Sequence, residues 1–307
     1  MKLGIIVCDS LPPKKELIEK SVNFLKDQNV DCYISDKSYE ATTAELKVNL
    51  FNELLVDDSI DVIMPFWGGL KTIEMLPYLN FDLINKCNKP VVGYSDATVL
   101  LQAIASKTNS PTYHGPALIT FAKQLYRQEA LKSLKDALYE KKYTIPLIKE
   151  VNIQSDLSET PVLITQDLAT TYNDGDSNGK TIVGNLQTLL LLNGTEYEMQ
   201  LNGKILFIEE AEEADENWFR RYITQLTLMK DFGKLKGIII SKFTLASNID
   251  KNKIIEILND HSFNKLNFPV VINADFGHTD PIITIPNNAE CTVSAYKDVS
   301  ISFTKEK

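Results

Sequence analysis

The sequence predicts an α/β protein of two lobes, and three observations predict it. Short apolar runs alternate with amphipathic stretches of helical spacing through the first third of the chain, the alternation resumes after about residue 180, and a polar stretch lies between. Strand-helix-strand alternation implies a parallel sheet with helices on both faces, whose ligand crevice lies outside the carboxyl ends of the strands. With 307 residues and 44% apolar character, the chain can divide its apolar residues between about two cores.

Residues 3–7 are an apolar run read as a buried strand. Residues 14–28 carry Leu17, Ile18, Val22, Phe24 and Leu25 on one helical face. Residues 30–35 read as a strand, 41–55 as a helix, and 62–66 and 91–94 as further strands. Beyond 118 the pattern weakens: 124–142 is helical and charged, and 170–179, dense in Asp, Asn, Ser and Gly, reads as polar loop. Apolar rhythm returns at 181–183, 186–192, 204–208, 237–240, 251–258 and 270–272, with an Arg-bearing helix at 217–228 and a closing strand at 299–303. The expected division is therefore 1–165, a connecting polar loop at 166–180, and 181–307.

Lys plus Arg number 32 against 41 Asp plus Glu, a net charge of -9, which argues against a surface that tracks phosphates and so against nucleic acid as a partner. No apolar run approaches the roughly 18 to 20 residues that span a bilayer, so no membrane association is expected. The N-terminal residues lack the charge, apolar length and cleavage pattern of a signal peptide. Cys8, Cys32, Cys87 and Cys291 stand singly, as buried thiols do in a reducing compartment, and the expected location is the cytoplasm.

The strongest local signal is Pro90-Val91-Val92-Gly93-Tyr94-Ser95-Asp96-Ala97-Thr98. An apolar strand ends at Gly93 and a helix of small and aliphatic residues follows, which sets Ser95 on a tight strand-to-helix turn. Such a turn lifts a side chain out at the sheet edge and aims the next backbone N–H groups at the same point. On this segment alone, helix capping by Ser95 or Asp96 is the simpler account.

A nucleophilic serine needs a base, and the chain has three histidines. His261 follows a helix, where surface exposure explains it. His114 precedes a Gly-Pro turn that explains its surroundings as well as a site would. His278 lies in a loop directly after the 270–272 strand, where a rigid base mounts catalytic groups, and is the best candidate. The base needs a carboxylate to fix its tautomer. Residues 204–208 end in Glu209-Glu210, and Glu209 fits that part, although alternation at a doubly buried edge does not decide between the two. The acidic residues Glu212, Glu213, Asp215 and Glu216 read as a solvated entry to the following helix. Cys8 is a rival nucleophile, for which a buried structural thiol is the plainer account.

Asp174-Gly175-Asp176-Ser177-Asn178-Gly179 spells the opening of a calcium loop, but the twelfth position is Asn185 rather than Glu, so a polar turn is expected. No zinc spacing, P-loop or G-x-G-x-x-G occurs, and the reading is of a cofactor-free, metal-free site.

In order, Trp67-Gly68-Gly69, Leu76-Pro77-Tyr78-Leu79, Gly93-Tyr94-Ser95-Asp96, His114-Gly115-Pro116-Ala117-Leu118, Gly184-Asn185-Leu186, Asn193-Gly194-Thr195, Ile205-Leu206-Phe207-Ile208-Glu209-Glu210 and Gly277-His278-Thr279-Asp280-Pro281 resemble the LD-carboxypeptidase and microcin C immunity family of serine peptidases. The resemblance covers about residues 40 to 290. It implies a flavodoxin-like N-terminal domain, a C-terminal swivelling α/β domain and an active site in the cleft between them. By the same resemblance Ser95 is the nucleophile, His278 the general base and Glu209 its orienting group, with Gly69 and Asp96 N–H groups forming the oxyanion hole. Homodimers are usual in the family.

The implied substrate is a small peptide or peptidyl nucleotide: a murein tetrapeptide, in peptidoglycan recycling, or an acyl nucleotide. Phe66-Trp67 and Leu70-Lys71 flank the Gly-Gly turn where the murein-acting branch usually shows Arg before and Tyr-Gly after, and the Asn-Ser-Asn of the immunity branch is also missing. The 76–81 run is nearer to the immunity branch. Trp67 as a stacking platform and Lys71 as an anion partner are the expected substrate contacts. Two other readings are a ligand-binding protein with a vestigial site and a thiol amidotransferase using Cys8.

Overall fold

The computed structural model describes residues 1–9, 12–123, 125–146, 148–153, 162–165 and 168–304. The first-half alternation is realised as β1 (Lys2–Ile6), α1 (Lys15–Asp27), β2 (Asp31–Ile34), α2 (Ala44–Val56), β3 (Val62–Pro65), α3 (Phe81–Cys87), β4 (Val91–Gly93), α4 (Thr98–Lys107) and β5 (Thr112–His114). These strands pair in parallel in the order β2-β1-β3-β4-β5. Every residue of β3 and β4 is buried, as two covered faces require, whereas edge strand β2 has none buried. α1 has no side-chain cap and is held by its buried Ile18, Phe24 and Leu25. α2 has both an apolar face and a cap, with Thr43 Oγ1 accepting the Leu46 N–H at 3.3 Å.

The charged helix expected at 124–142 is α5 (Arg127–Tyr139); Gln124 lies outside the described residues, and Lys142 opens the next strand. The remaining elements are β6 (Lys142–Thr144), β7 (Glu150–Asn152), β8 (Leu163–Thr165), β9 (Thr170–Asn173), β10 (Gly175–Asn185), α6 (Leu186–Leu190), β11 (Lys204–Glu209), α7 (Glu216–Leu228), β12 (Gly237–Ser241), α8 (Lys251–Asp260), β13 (Val270–Ala274), β14 (Ile285–Pro286), β15 (Glu290–Ala295) and β16 (Val299–Thr304). The second sheet runs β6-β16-β15-β10-β11-β12-β13-β9. Its centre, β10 to β13, is parallel, and its flanks are antiparallel.

The stretch 170–179, expected as polar loop, is strand instead, and residues 166–167 lie outside the described residues. The cause is a non-local partner: the polar half of β10 pairs with β15 from Gly175↔Ala295 to Lys180↔Glu290. Its side chains alternate, with Ser177 buried between exposed Asp176 and Asn178. The calcium-loop spelling therefore lies on an extended strand and not on a turn. Asp176 there accepts from the Tyr296 hydroxyl at 3.1 Å, and Asn178 from Thr292 Oγ1 at 2.7 Å.

The two halves interlock. β14 pairs antiparallel with β5, Ile285 opposite His114, so a second-half strand completes the first sheet. The end of β10 lies directly on α4: a Cβ on Gly184 would fall 2.2 Å from Thr98 Cγ2, and the Asn185 N–H donates to Thr98 Oγ1 at 3.2 Å. Only glycine permits that approach.

Candidate active site

β4 delivers the chain to Ser95, which has φ of 59° and opens a single 3-10 turn before α4. A non-glycine residue in the left-handed region is strained by about 1–3 kcal/mol, and such strain persists where surrounding packing imposes it. The capping account of this turn does not hold, since neither the 3-10 turn nor α4 receives a side-chain cap. The Asp96 carboxylate instead reaches across to the Gly-Gly loop, accepting from Thr72 N at 2.8 Å and Thr72 Oγ1 at 2.6 Å. Burial raises the pKa of Asp96, and the two Thr72 hydrogen bonds oppose that rise.

Gly68 faces this turn, and Gly69 beside it faces Asp9. A Cβ on Gly68 would sit 2.9 Å from Ser95 Oγ and 3.5 Å from the Asp96 nitrogen, so backbone is all that fits beside the hydroxyl. Gly69 has φ of +147°, and a Cβ there would strike Asp9 at 2.3 Å. The Gly68 backbone and the Asp96 nitrogen thus lie together beside Ser95. Trp67 is 36% exposed and Lys71 is exposed on the same loop, so both are open to a ligand.

The imidazole of His278 packs edge-on against Tyr94, the residue before Ser95, with ring centroids 5.0 Å apart. Its Nδ1 lies 2.5 Å from Glu209 Oε2, and both side chains are buried. Glu209 ends β11 in register with Asn185, at the carboxyl edge of the second sheet. Glu210 turns away: it accepts from the Gln187 N–H at 2.7 Å and from Asn185 Nδ2 at 3.3 Å, bracing the start of α6. Of the two carboxylates that alternation leaves open, Glu209 is the one in contact with the imidazole.

Burial disfavours charge on His278, but the Glu209 carboxylate outweighs it, helped by Glu212 and Glu213, and the net pKa lies above the ordinary histidine value. For Glu209 burial acts upward and His278 overcomes it, so this carboxyl lies below its ordinary range. Glu210, buried beside the Glu209 charge, is pushed well above its own. Adjacent carboxyls are thereby driven apart, one held as the anion that orients an imidazole. With Nδ1 committed to Glu209, Nε2 is the nitrogen left to exchange a proton.

The other candidates are held in other ways. His261 ends α8, bonded through Nδ1 to the Ile257 carbonyl and through Nε2 to Thr224 Oγ1, both at 2.8 Å. His114 is fully buried with a pKa lowered by that burial, and its Nε2 donates to the Phe276 carbonyl at 2.8 Å. Burial and then the Asp96 charge push the Cys8 thiol up to about 12, which keeps it from acting as a thiolate.

Tyr94, Gly68, Thr72, Asp9 and Asp280 border the site without having been assigned a part from sequence. Gly68, Tyr94 and Asp280 lie within the stretches that carry the family resemblance, whereas Asp9 and Thr72 carry no local signal.

A serine on a strained elbow, flanked by glycine backbone and preceded by a tyrosine that packs on an imidazole paired with a carboxylate, is suited to acyl transfer. Comparison with known proteins agrees. Models of the LD-carboxypeptidase N-terminal and C-terminal domains match residues 5–115 and 178–293. The chain is 30% identical over 288 residues to the microcin C7 self-immunity protein MccF of Escherichia coli, covering 87% of this chain and 80% of that protein. The crystal structure of an MccF-like protein from Bacillus anthracis superposes with a TM-score of 0.93 at 27% identity, covering 99% of this chain and 97% of the other. MccF in complex with glutamyl sulfamoyl guanosine does so at 0.88 and 27%, covering 99% and 96%. Two matched domains in the right order, and a fold shared nearly end to end, make this chain a serine-type peptidase that belongs to the LD-carboxypeptidase family.

Proposed function

We propose that Ser95, His278 and Glu209 form a catalytic triad that hydrolyses an amide or acyl bond in a small peptide or a peptidyl or aminoacyl nucleotide. The observation that carries this is the 2.5 Å Glu209–His278 contact beside the strained Ser95 elbow. Ser95 Oγ attacks the carbonyl carbon while its proton passes to His278 Nε2. The N–H groups of Asp96 and Gly69 stabilise the oxyanion of the tetrahedral intermediate. Collapse breaks the scissile bond, and the leaving group takes the proton from His278. Water then attacks the acyl-serine, losing its proton to His278, and as the acyl–Oγ bond breaks that proton returns to Ser95 Oγ and the acid is released.

In this reading residues 1–165 supply the nucleophile, 181–307 supply the acid-base pair, and the cleft between them binds substrate. Trp67 and Lys71, exposed on the Gly-Gly loop, stack on a planar group and pair with an anion. The glutamyl sulfamoyl guanosine held by MccF supports an acyl nucleotide. A murein tetrapeptide is the competing substrate, on the strength of the family itself. The reading includes a homodimer in the cytoplasm; among the described residues no helix is long and apolar enough to cross a membrane.

Purified protein is assayed against both substrate classes with product masses as readout. Cleavage of one and not the other assigns the substrate. Turnover of neither, with no labelling of Ser95 by a fluorophosphonate, refutes catalysis and favours a ligand-binding protein. Loss of Ser95 or His278 is expected to cost on the order of 10⁶ in kcat.

A further inference from the structure

The loop that carries His278 leaves β13 at Ala274 and enters β14 at Ile285, so it begins in the second sheet and ends in the first. Within it, two residues are gripped by side chains from the nucleophile's half of the chain. Two positions before His278, the Phe276 carbonyl accepts from His114 Nε2 at 2.8 Å, and the His114 and Phe276 rings pack edge-on at 5.9 Å. Two positions after it, both oxygens of the Asp280 carboxylate accept from Lys123 Nζ, at 2.9 and 3.0 Å. Asn152 adds a backbone bridge to Asp280 in both directions, at 3.0 and 2.9 Å, and an amide contact to its carboxylate at 3.2 Å. The side chains of Lys123 and Asp280 are 10% and 3% exposed.

Burying two charges costs several kcal/mol per ion, and an apolar pair of the same volume often serves stability as well. Stability alone is therefore a weak reason for this pair. Its placement suggests another: Ser95, His114 and Lys123 belong to one half, and the base they must meet belongs to a loop sprung from the other. Misplacement of a catalytic group by about 1 Å costs about 10²-fold in rate.

We propose that Lys123, through its ion pair with Asp280, is a positioning residue that fixes the His278 loop against the nucleophile's half and so sets the Ser95–His278 alignment. This inference rests on the proposed triad. Burial raises the pKa of Asp280 on balance, and Lys123, the next cause, opposes that rise.

The test is fluorophosphonate labelling of Ser95 in the full chain, resolved into KI and the maximal rate kinact. Lys123→Met is expected to lower kinact by about 10²-fold with KI unchanged. Lys123→Arg, which keeps the cation and its hydrogen bonds, is expected to recover most of that rate. The charge-free pair K123M/D280N separates alignment from the penalty of a lone buried carboxylate and is read in its place should K123M not fold. It is expected to remain slow. Wild-type kinact in K123M, or full recovery in the double variant, overturns the inference while leaving the triad standing. Failure of the wild-type protein to label at Ser95 sinks the triad first and the inference with it.

Discussion

Replacing Glu209 by Gln removes one buried charge and nearly preserves shape. The perturbation falls on a 2.5 Å contact between two buried groups. At an effective dielectric near 20, unit charges about 4 Å apart interact by about 4 kcal/mol, which corresponds to about 10³-fold in rate if the interaction is made only when the imidazole is charged. A glutamine also offers an N–H to Nδ1 and so favours the wrong tautomer, which carries the loss toward about 10⁴-fold.

The pH dependence has a definite sign. Burial pulls His278 toward neutrality, but Glu209 reverses this, with Glu212 and Glu213 adding to it, and the pKa lies above the ordinary value. A general base works neutral, so kcat/KM rises with pH through that raised pKa. In Glu209→Gln the pull of burial meets less opposition, and the midpoint moves to lower pH while the plateau falls. Kinetics from about pH 5 to about pH 9 measure both. A midpoint that stays put, with an undiminished plateau, refutes the assignment of Glu209 as the partner of the base.

The same pair predicts a stability optimum. The His278 contribution is complete below its unfolded pKa of about 6.5 and is lost as pH rises through the higher folded value. The Glu209 contribution is complete above about 4.3 and is lost as pH falls through its lower folded value. The melting temperature is greatest between those limits, and Glu209→Gln flattens the profile; an identical profile in the variant argues against the coupling.

Ser95→Gly relieves a left-handed residue and stabilises the fold by about 0.5–1 kcal/mol after the entropy of glycine is discounted. Ser95→Ala keeps the Cβ and shows no such gain; equal melting temperatures of the two variants refute stored strain. Gly68→Ala places a methyl 2.9 Å from Ser95 Oγ and is expected to reduce Ser95 labelling by about 10²-fold or more in a folded protein, and wild-type labelling contradicts the packing described. Cys8→Ala leaves turnover intact, because a thiol held at about 12 is not a nucleophile at neutral pH; loss of activity in a normally folded variant restores the thiol reading.

Much of the first lobe is legible in sequence because each β-α repeat buries both faces of its strand, so the apolar runs at 3–7, 62–66 and 91–94 mark strands with few alternatives. The elbow at Ser95 is legible for a similar reason: glycine ends a buried strand, and small residues begin a helix at once. The polar half of β10 is not, since its order comes from pairing with β15 more than 100 positions away, and its exposed face reads like a loop. Glu209 and Glu210 are both buried, so periodicity is silent between them, and only the neighbours decide. Lys47, Lys123 and Lys242 look like surface cations in sequence. Lys47 is buried with its ammonium on the Cys8 carbonyl, Lys123 pairs with Asp280, and Lys242 pairs with Asp275.

The two-residue β14 bears on how the polypeptide is made. As the ribosome extrudes the chain, β5 emerges with one side unzipped, and its neighbour is not synthesised until residues 285–286. A nascent fragment therefore presents an open strand edge, a known template for wrong pairing, through the production of some 170 further residues. Vectorial synthesis thus leaves the lobe that carries Ser95 unfinished until most of the second sheet has been translated, which ties maturation of one lobe to synthesis of the other.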